Sequence, residues 1–376
     1  MSMSKRNHSV TIDIGSSRVV GSWVSKDNNK LRILHTCYKD IPFQETLSTD
    51  RYTELMFQTL NDCLDDLVRV IDNNRPTSVL CTLSSIMYDS ELKSTNRTFK
   101  EETRITRAHI DALHNDNLAG DSDGSMILDH ATIRIMLNGY PTTNPIGKYA
   151  HVINASTYMS HGDGLIFDKI RTAIRSRFHS VEPTIHSFSF AVFTILRDIM
   201  HEENFIALDF GGEITDIVVV RGTVMDKTIS IPFGRNVILR QMMKSMNVSM
   251  QIAESTLRLY NEGNLEQSKQ SQVSEALASC KQRWDTLFLG TLENVTLVSL
   301  LPQTVHVMAE QYVMPIISSY IESDRYGKYV FVAEPFKVHR LNADALQSLY
   351  TVAKKDIRVE PVVVISAMFS DRIEMT

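Results

Sequence analysis

Two strand-turn-strand figures with glycine at the tip constrain this chain more than any other feature. "VTIDIGSSRVVGSWV" runs from Val10 to Val24, and "FIALDFGGEITDIVVVRG" from Phe205 to Gly222. In each, an apolar run suited to a core ends at an aspartate, Asp13 or Asp209, turns through glycine and resumes as a second apolar run. Glycine accepts positive φ and lets a ligand approach the backbone closely. The N–H groups of such a turn point outward and can seat anionic oxygens. One such turn is an ordinary hairpin; the same figure at the same point of two similar halves is the informative observation.

The halves repeat in order. Val10 to Ile41 reads as a three-strand meander, followed by a helix over "RYTELMFQTLNDCLDDLVRVID" (Arg51 to Asp72) and a short strand, "SVLCTLSS". "FIALDF", "ITDIVVV" and "VMDKTISIPF" form the second meander, and "RNVILRQMMKSM" begins a helix. Further on, "KYVFVAEPF" reads as a strand, "ADALQSLYTVAKK" as a helix and "VEPVVVIS" as a strand. An internal duplication is the simplest account, and two such halves face each other across a cleft lined by both glycine turns. Between them, "KSTNRTFKEETRITRAHIDALHNDNLAGDSDGS" is polar, strands with turn signals follow, and "GLIFDKIRTAIRSRF" is an amphipathic helix. The resulting division is 1–85 with 184–204 as the first lobe, 86–183 as an inserted α+β module, 205–235 with 327–376 as the second lobe, and 236–326 as its helical subdomain. Within that last block, "VHVMAEQYVMPIISSYIESD" reads as one helix.

At 376 residues the chain is long enough for this two-lobed plan, and a net charge of -5 gives no electrostatic case for nucleic acid. Cys37, Cys63, Cys81 and Cys280 show no paired spacing, so reduced buried thiols are expected. "MSMSKRNHS" lacks the apolar stretch of a signal peptide and no apolar run is long enough to span a bilayer, which points to the cytoplasm. No H-x-x-x-H pair lies on an expected helix, and the acidic "DNLAGDSDG" lacks calcium-loop spacing. The methionines of "RQMMKSMNVSM" read as helix packing.

A carboxylate before each turn repels phosphate directly but can hold a hydrated magnesium ion that bridges to it; Asp13 and Asp209 are placed for that. "DIGSSRV" resembles the first phosphate loop of the actin, sugar-kinase and heat-shock-chaperone superfamily, and "LDFGGEITDIVVV" resembles its second. "LNGYPTTNPIGKYAHVINASTYMS", with its N-P-x-G turn, looks like the extra subdomain of FtsA-type cell-division proteins. "TISIPFGRN" and "QIAESTLRLYNEG" are similar to the same family, and the related PilM type of pilus protein shares the arrangement. The resemblance covers about Val10 to Gly263. It implies an α/β, actin-like (ribonuclease H-like) duplicated fold with two lobes and an inserted α+β subdomain.

Carried over, the resemblance makes ATP and magnesium the cofactors. Asp13 and Asp209 would hold the metal through water, Asp209 being the one catalytic candidate. Gly15, Ser16, Ser17, Arg18, Gly211, Gly212 and Thr215 would contact phosphates, and Glu254 and Arg258 would reach the ribose and base edge. Departures are visible: Glu213 and Ile214 replace a glycine and a threonine, Leu257 replaces the lysine of the ribose motif, and Ala333, Glu334 and Pro335 stand where two glycines cradle adenine. The implied function is a scaffold at the cytoplasmic face of the membrane that self-associates into filaments or docks a tubulin-like division protein. The alternatives are a pilus membrane protein as partner, or a pseudo-ATPase with a degenerate site. Enzymatic activity is at most weak ATPase; a small-molecule kinase needs a carboxylate base in the first lobe, and the inserted block offers none. The C-terminus, "VVVISAMFSDRIEMT", lacks a basic amphipathic segment, so membrane contact is expected to be indirect.

Overall fold

In the two meanders the apolar runs become strands where the sequence places them. The computed structural model describes residues 8–27, 30–71, 75–116, 124–179, 181–200, 202–297 and 299–374. In the first half, β1 (His8–Ile14), β2 (Arg18–Asp27) and β3 (Lys30–Asp40) form the expected antiparallel meander. The amphipathic α1 (Thr49–Ile71) buries Leu60, Cys63, Leu64 and Leu67 against this sheet, and β4 (Ser78–Leu83) returns parallel to β1.

The inserted segment supplies β5 (Tyr88–Arg104), α2 (Arg107–Asp116), β6 (Ser125–Leu137), β7 (Tyr140–Pro141), β8 (Tyr149–Asp163) and α3 (Gly164–Arg175). Its strands make a four-stranded sheet in the order β5-β8-β6-β7. The helix α3 buries Phe167, Ile170 and Ile174 in the same core as α1, so the module is fused to the first lobe through it. The acidic loop of the sequence reading falls mostly in 117–123, outside the described residues. The chain then re-enters the first sheet as β9 (Thr184–Ser187), beside β4, and continues into α4 (Phe188–Ile199).

The second half repeats the pattern with β10 (Phe205–Phe210), β11 (Thr215–Arg221) and β12 (Val224–Ile231), followed by α5 (Arg235–Met246), α6 (Met250–Asn261) and α7 (Gln267–Val295). Next come β13 (Thr304–Ala309), α8 (Met314–Ile321) and β14 (Lys337–Arg340), with β13 parallel to β10 and β14 parallel to β13. The chain ends with β15 (Tyr350–Val352) and α9 (Pro361–Glu374).

Four local expectations are corrected here. The single helix expected over 305–324 is the strand β13 followed by α8: Val305 and Val307 are β-branched and sit beside β10 in the sheet interior. The strand expected at "KYVFVAEPF" is instead a 3-10 turn over Asp324–Tyr329 and a bend through Ala333, whose φ is 55°, with β14 starting only at Lys337. The helix expected over 343–355 is a 3-10 turn, Asp344–Leu349, and the strand β15. The strand expected at "VEPVVVIS" is the helix α9; Pro361 pre-sets its first turn, and packing of Val363, Val364, Ile365 and Phe369 overrides β propensity.

These last two elements also change partners. The duplication assigns 327–376 to the second lobe, yet β15 pairs with β3 of the first sheet, giving the order β15-β3-β2-β1-β4-β9. The helix α9 packs on β1, β2, β4 and α4. A continuous core therefore joins the halves: Val20, Val24 and Leu80 of the first sheet and Phe205, Val218 and Val220 of the second share one cluster with α4 and α9. The helical block 236–326 likewise contains β13, an inner strand of the second sheet, whose order is β12-β11-β10-β13-β14.

Candidate functional site

The parallel strands β1 and β4 of one sheet, and β10 and β13 of the other, end at the same cleft, so their C-terminal turns face one another. The first turn is closed by the Gly15 N–H donating to the Arg18 carbonyl at 2.9 Å, and the second by the Gly211 N–H donating to the Ile214 carbonyl at 3.1 Å. The turns touch. A Cβ on Gly212 would stand 2.1 Å from that of Ser17, a separation only glycine permits. The Ser16 hydroxyl oxygen accepts the N–H groups of both Gly212 and Glu213, each at 3.0 Å. On its other side the second turn gives its Gly211 and Gly212 carbonyls to the N–H groups of Arg235 and Asn236 at the start of α5, at 3.0 and 2.9 Å. Two of the donors that the second turn could offer an anion, the Gly212 and Glu213 amides, are here taken by the first turn.

Three carboxylates line the floor. The Thr82 hydroxyl donates to Asp13 at 2.7 Å. Burial nevertheless pushes the Asp13 carboxyl from an ordinary 3.8 up to about 7, against the Thr82 bond and with Glu360 and Asp216 adding to the rise. Burial also raises Asp209 well above the carboxylate range, with Asp216 and Asp13 adding to it. Asp216 is raised by burial, which the hydroxyls of Ser230 and Ser85 partly oppose. These groups feel one another without converging: among the described residues no group of three or more His, Cys, Asp or Glu is arranged to hold a metal ion.

Arg18, expected on the terminal phosphates, is held by protein carboxylates. It reaches Asp40 at 2.7 Å, Glu310 at 3.0 Å and Glu360 at 3.3 Å. Arg235 also pairs with Glu310, and Arg358 with Glu360. The resemblance implies a pair of glycines against adenine; Glu310 directly follows β13, the strand that runs beside β10 into the cleft, and brings a charged side chain there. The sequence reading put that motif at Ala333, Glu334 and Pro335. They precede β14, which is parallel to β13, and so lie at the opposite end of the sheet. Reading β13 as helix is what hid Glu310.

Thr215 is also placed differently from expectation. It is fully buried and donates its hydroxyl to the Phe233 carbonyl, which leaves nothing for a phosphate. Glu254 and Arg258 share one face of α6, pair at 2.6 Å, and Arg258 lies 4.4 Å over the Tyr312 ring, two residues beyond Glu310. They are therefore joined through Tyr312 to the segment that carries Glu310. Glu213, the carboxylate gained in the second turn, points away from it. Arg240 grips it through two bonds of 2.7 and 2.6 Å, and the Asn236 side-chain amide adds a third at 2.7 Å. The same guanidinium donates to the Gln44 carbonyl at 2.9 Å and lies 5.1 Å over Phe43, both in the first lobe. Arg240 follows Asn236 by four residues, and that helical spacing on the expected α5 was the available signal for this tie.

No protein-family model matches the sequence, and no curated protein matches it. Solved structures do. A PilM–PilN type IV pilus biogenesis complex superposes with a TM-score of 0.64 at 12% identity, covering 97% of this chain and 98% of that one. The chain has the actin-like ATPase fold. Less similar solved structures are the ethanolamine utilization protein EutJ of Carboxydothermus hydrogenoformans (TM-score 0.45, 10% identity, 96% and 89% covered) and a Bacteroides thetaiotaomicron protein with an actin-like ATPase fold (0.43, 8%, 97% and 96%). Within that fold, ATP and magnesium are the implied ligands. The turn amides bound to Ser16, the Arg18 carboxylate cluster and Glu310 beyond β13 do not fit a bound triphosphate in this arrangement.

Proposed function

We propose that this chain is a PilM-type docking scaffold whose interlobe cleft is held by its own ion pairs in place of a nucleotide. The observation that carries the reading is the Ser16 hydroxyl on the Gly212 and Glu213 amides, with Arg18 saturated by Asp40, Glu310 and Glu360. It favours the pseudo-ATPase over an ATP switch and assigns no hydrolysis to Asp209. The partner is a pilus membrane protein of the PilN kind, as in the complex that this fold matches along nearly its whole length. That full-length likeness favours the pilus reading over FtsA-type division, with its filaments and tubulin-like partner, which rests on the N-P-x-G segment.

Docking falls to the far end of the inserted sheet. Tyr140, Ile146 and Tyr149 are 78%, 54% and 59% exposed around the Asn144–Gly147 turn, and apolar groups grouped in this way mark interaction sites. Among the described residues no helix is long and apolar enough to cross a membrane, so the membrane is reached through the partner, at its cytoplasmic face. The test is co-purification with the cytoplasmic segment of the PilN-type protein. A complex that forms without nucleotide and is lost in Tyr140→Ser/Tyr149→Ser supports the scaffold; a complex that forms only with Mg–ATP refutes it.

A further inference from the structure

The faces of α5 and α7 that look toward the first lobe border an open groove of about 340 Å³, lined by Val237, Arg240, Lys244, Ser279 and Arg283, with Leu47 of the first lobe at its edge. Arg240 and Lys244, like Ser279 and Arg283, are four residues apart, so each helix turns two neighbouring side chains to the same side. Asp13, Arg18, Asp209 and Glu310 do not line it; the groove lies behind Glu213 and its properties do not depend on how the cleft is read.

Charge identifies what it would take. Three cations and one carboxylate, Glu213, face the groove, and Arg240 already holds that carboxylate. Lys244 and Arg283 make no ion pair with a carboxylate among the described residues. Two uncompensated positive charges facing one groove match a dianion. A guanidinium fork and an ammonium are the donors suited to phosphate oxygens. The volume falls in the range of small-molecule sites, and Leu47 and Val237 provide apolar wall for an organic body. We infer that this groove binds a small phosphorylated compound, with its phosphate between Lys244 and Arg283. The phosphate sits next to Arg240, which ties the lobes through Gln44 and Phe43, so occupancy bears on the interlobe contact.

The test is calorimetric titration of magnesium-free pyrophosphate into the intact chain at fixed ionic strength. Lys244→Ala/Arg283→Ala serves as the comparison, since both side chains are exposed and their loss does not threaten folding. The expected result is saturable binding that the double variant weakens by about tenfold or more, one charge-assisted contact of about 1.4 kcal/mol being worth that factor. Absence of saturable binding to the wild type at millimolar pyrophosphate overturns the inference, as does equal affinity in the double variant.

Discussion

Arg18 concentrates the argument at the scale of single residues. Its guanidinium, 15% exposed, pairs with three carboxylates drawn from β3, the turn after β13 and the approach to α9. Arg18→Ala removes the link between them, while Arg235 still pairs with Glu310 and Arg358 with Glu360, and is expected to lower stability by about 1 to 2 kcal/mol, read from denaturant unfolding. Asp13 works in the opposite sense. Its carboxyl titrates near 3.8 when unfolded and at about 7 when folded, so the folded chain holds the proton more tightly. The resulting stability is complete below the unfolded value and is lost as pH rises through the folded one. Asp13→Asn keeps an acceptor for Thr82 and removes the charge. It is expected to raise the unfolding temperature at about pH 8 and to change it little at about pH 4.

Among the secondary-structure elements, the second glycine turn and α5 are built as one piece. The added Cβ of Gly234 would stand 2.4 Å from the Gly212 carbonyl oxygen, although its φ of -146° suits any residue. Gly234→Ala therefore acts by displacing the turn from α5, not by backbone strain. A loss of about 2 kcal/mol or more is expected in denaturant unfolding. Both meanders, α1, α3, α5 and the helical block of α6 and α7 were legible because their apolar periodicity agrees with their burial, and the two glycine turns because the figure recurs. The end of the chain was not. β13, β15 and α9 are short segments whose local composition fits either class, and their partners lie far away in sequence: β3 for β15, β1 for α9. Of the candidate site, position was legible and occupancy was not. Nothing local in "DIGSSRV" says that Ser16 will bond to Gly212, and Arg18 meets its carboxylates only through folding.

For the whole molecule, the shared core through α4 and α9 decides how the lobes behave. Residues of both sheets pack on these helices, so the lobes are expected to unfold in one calorimetric transition, not two. Phe369→Ala removes a ring that is 1% exposed in that core. It should cost about 3–5 kcal/mol while leaving a single transition; two separated transitions in either protein would contradict a shared core. On top of this frame Ser16 and Arg18 bridge the two halves at the cleft and Arg240 ties them beside it. The most direct measurement is calorimetric titration of Mg–ATP into the chain carrying Lys244→Ala/Arg283→Ala, so that the basic groove does not contribute. No saturable binding at millimolar Mg–ATP is predicted. Saturable binding that Asp13→Ala abolishes would contradict the account, because it would put a nucleotide where the protein's own side chains now stand.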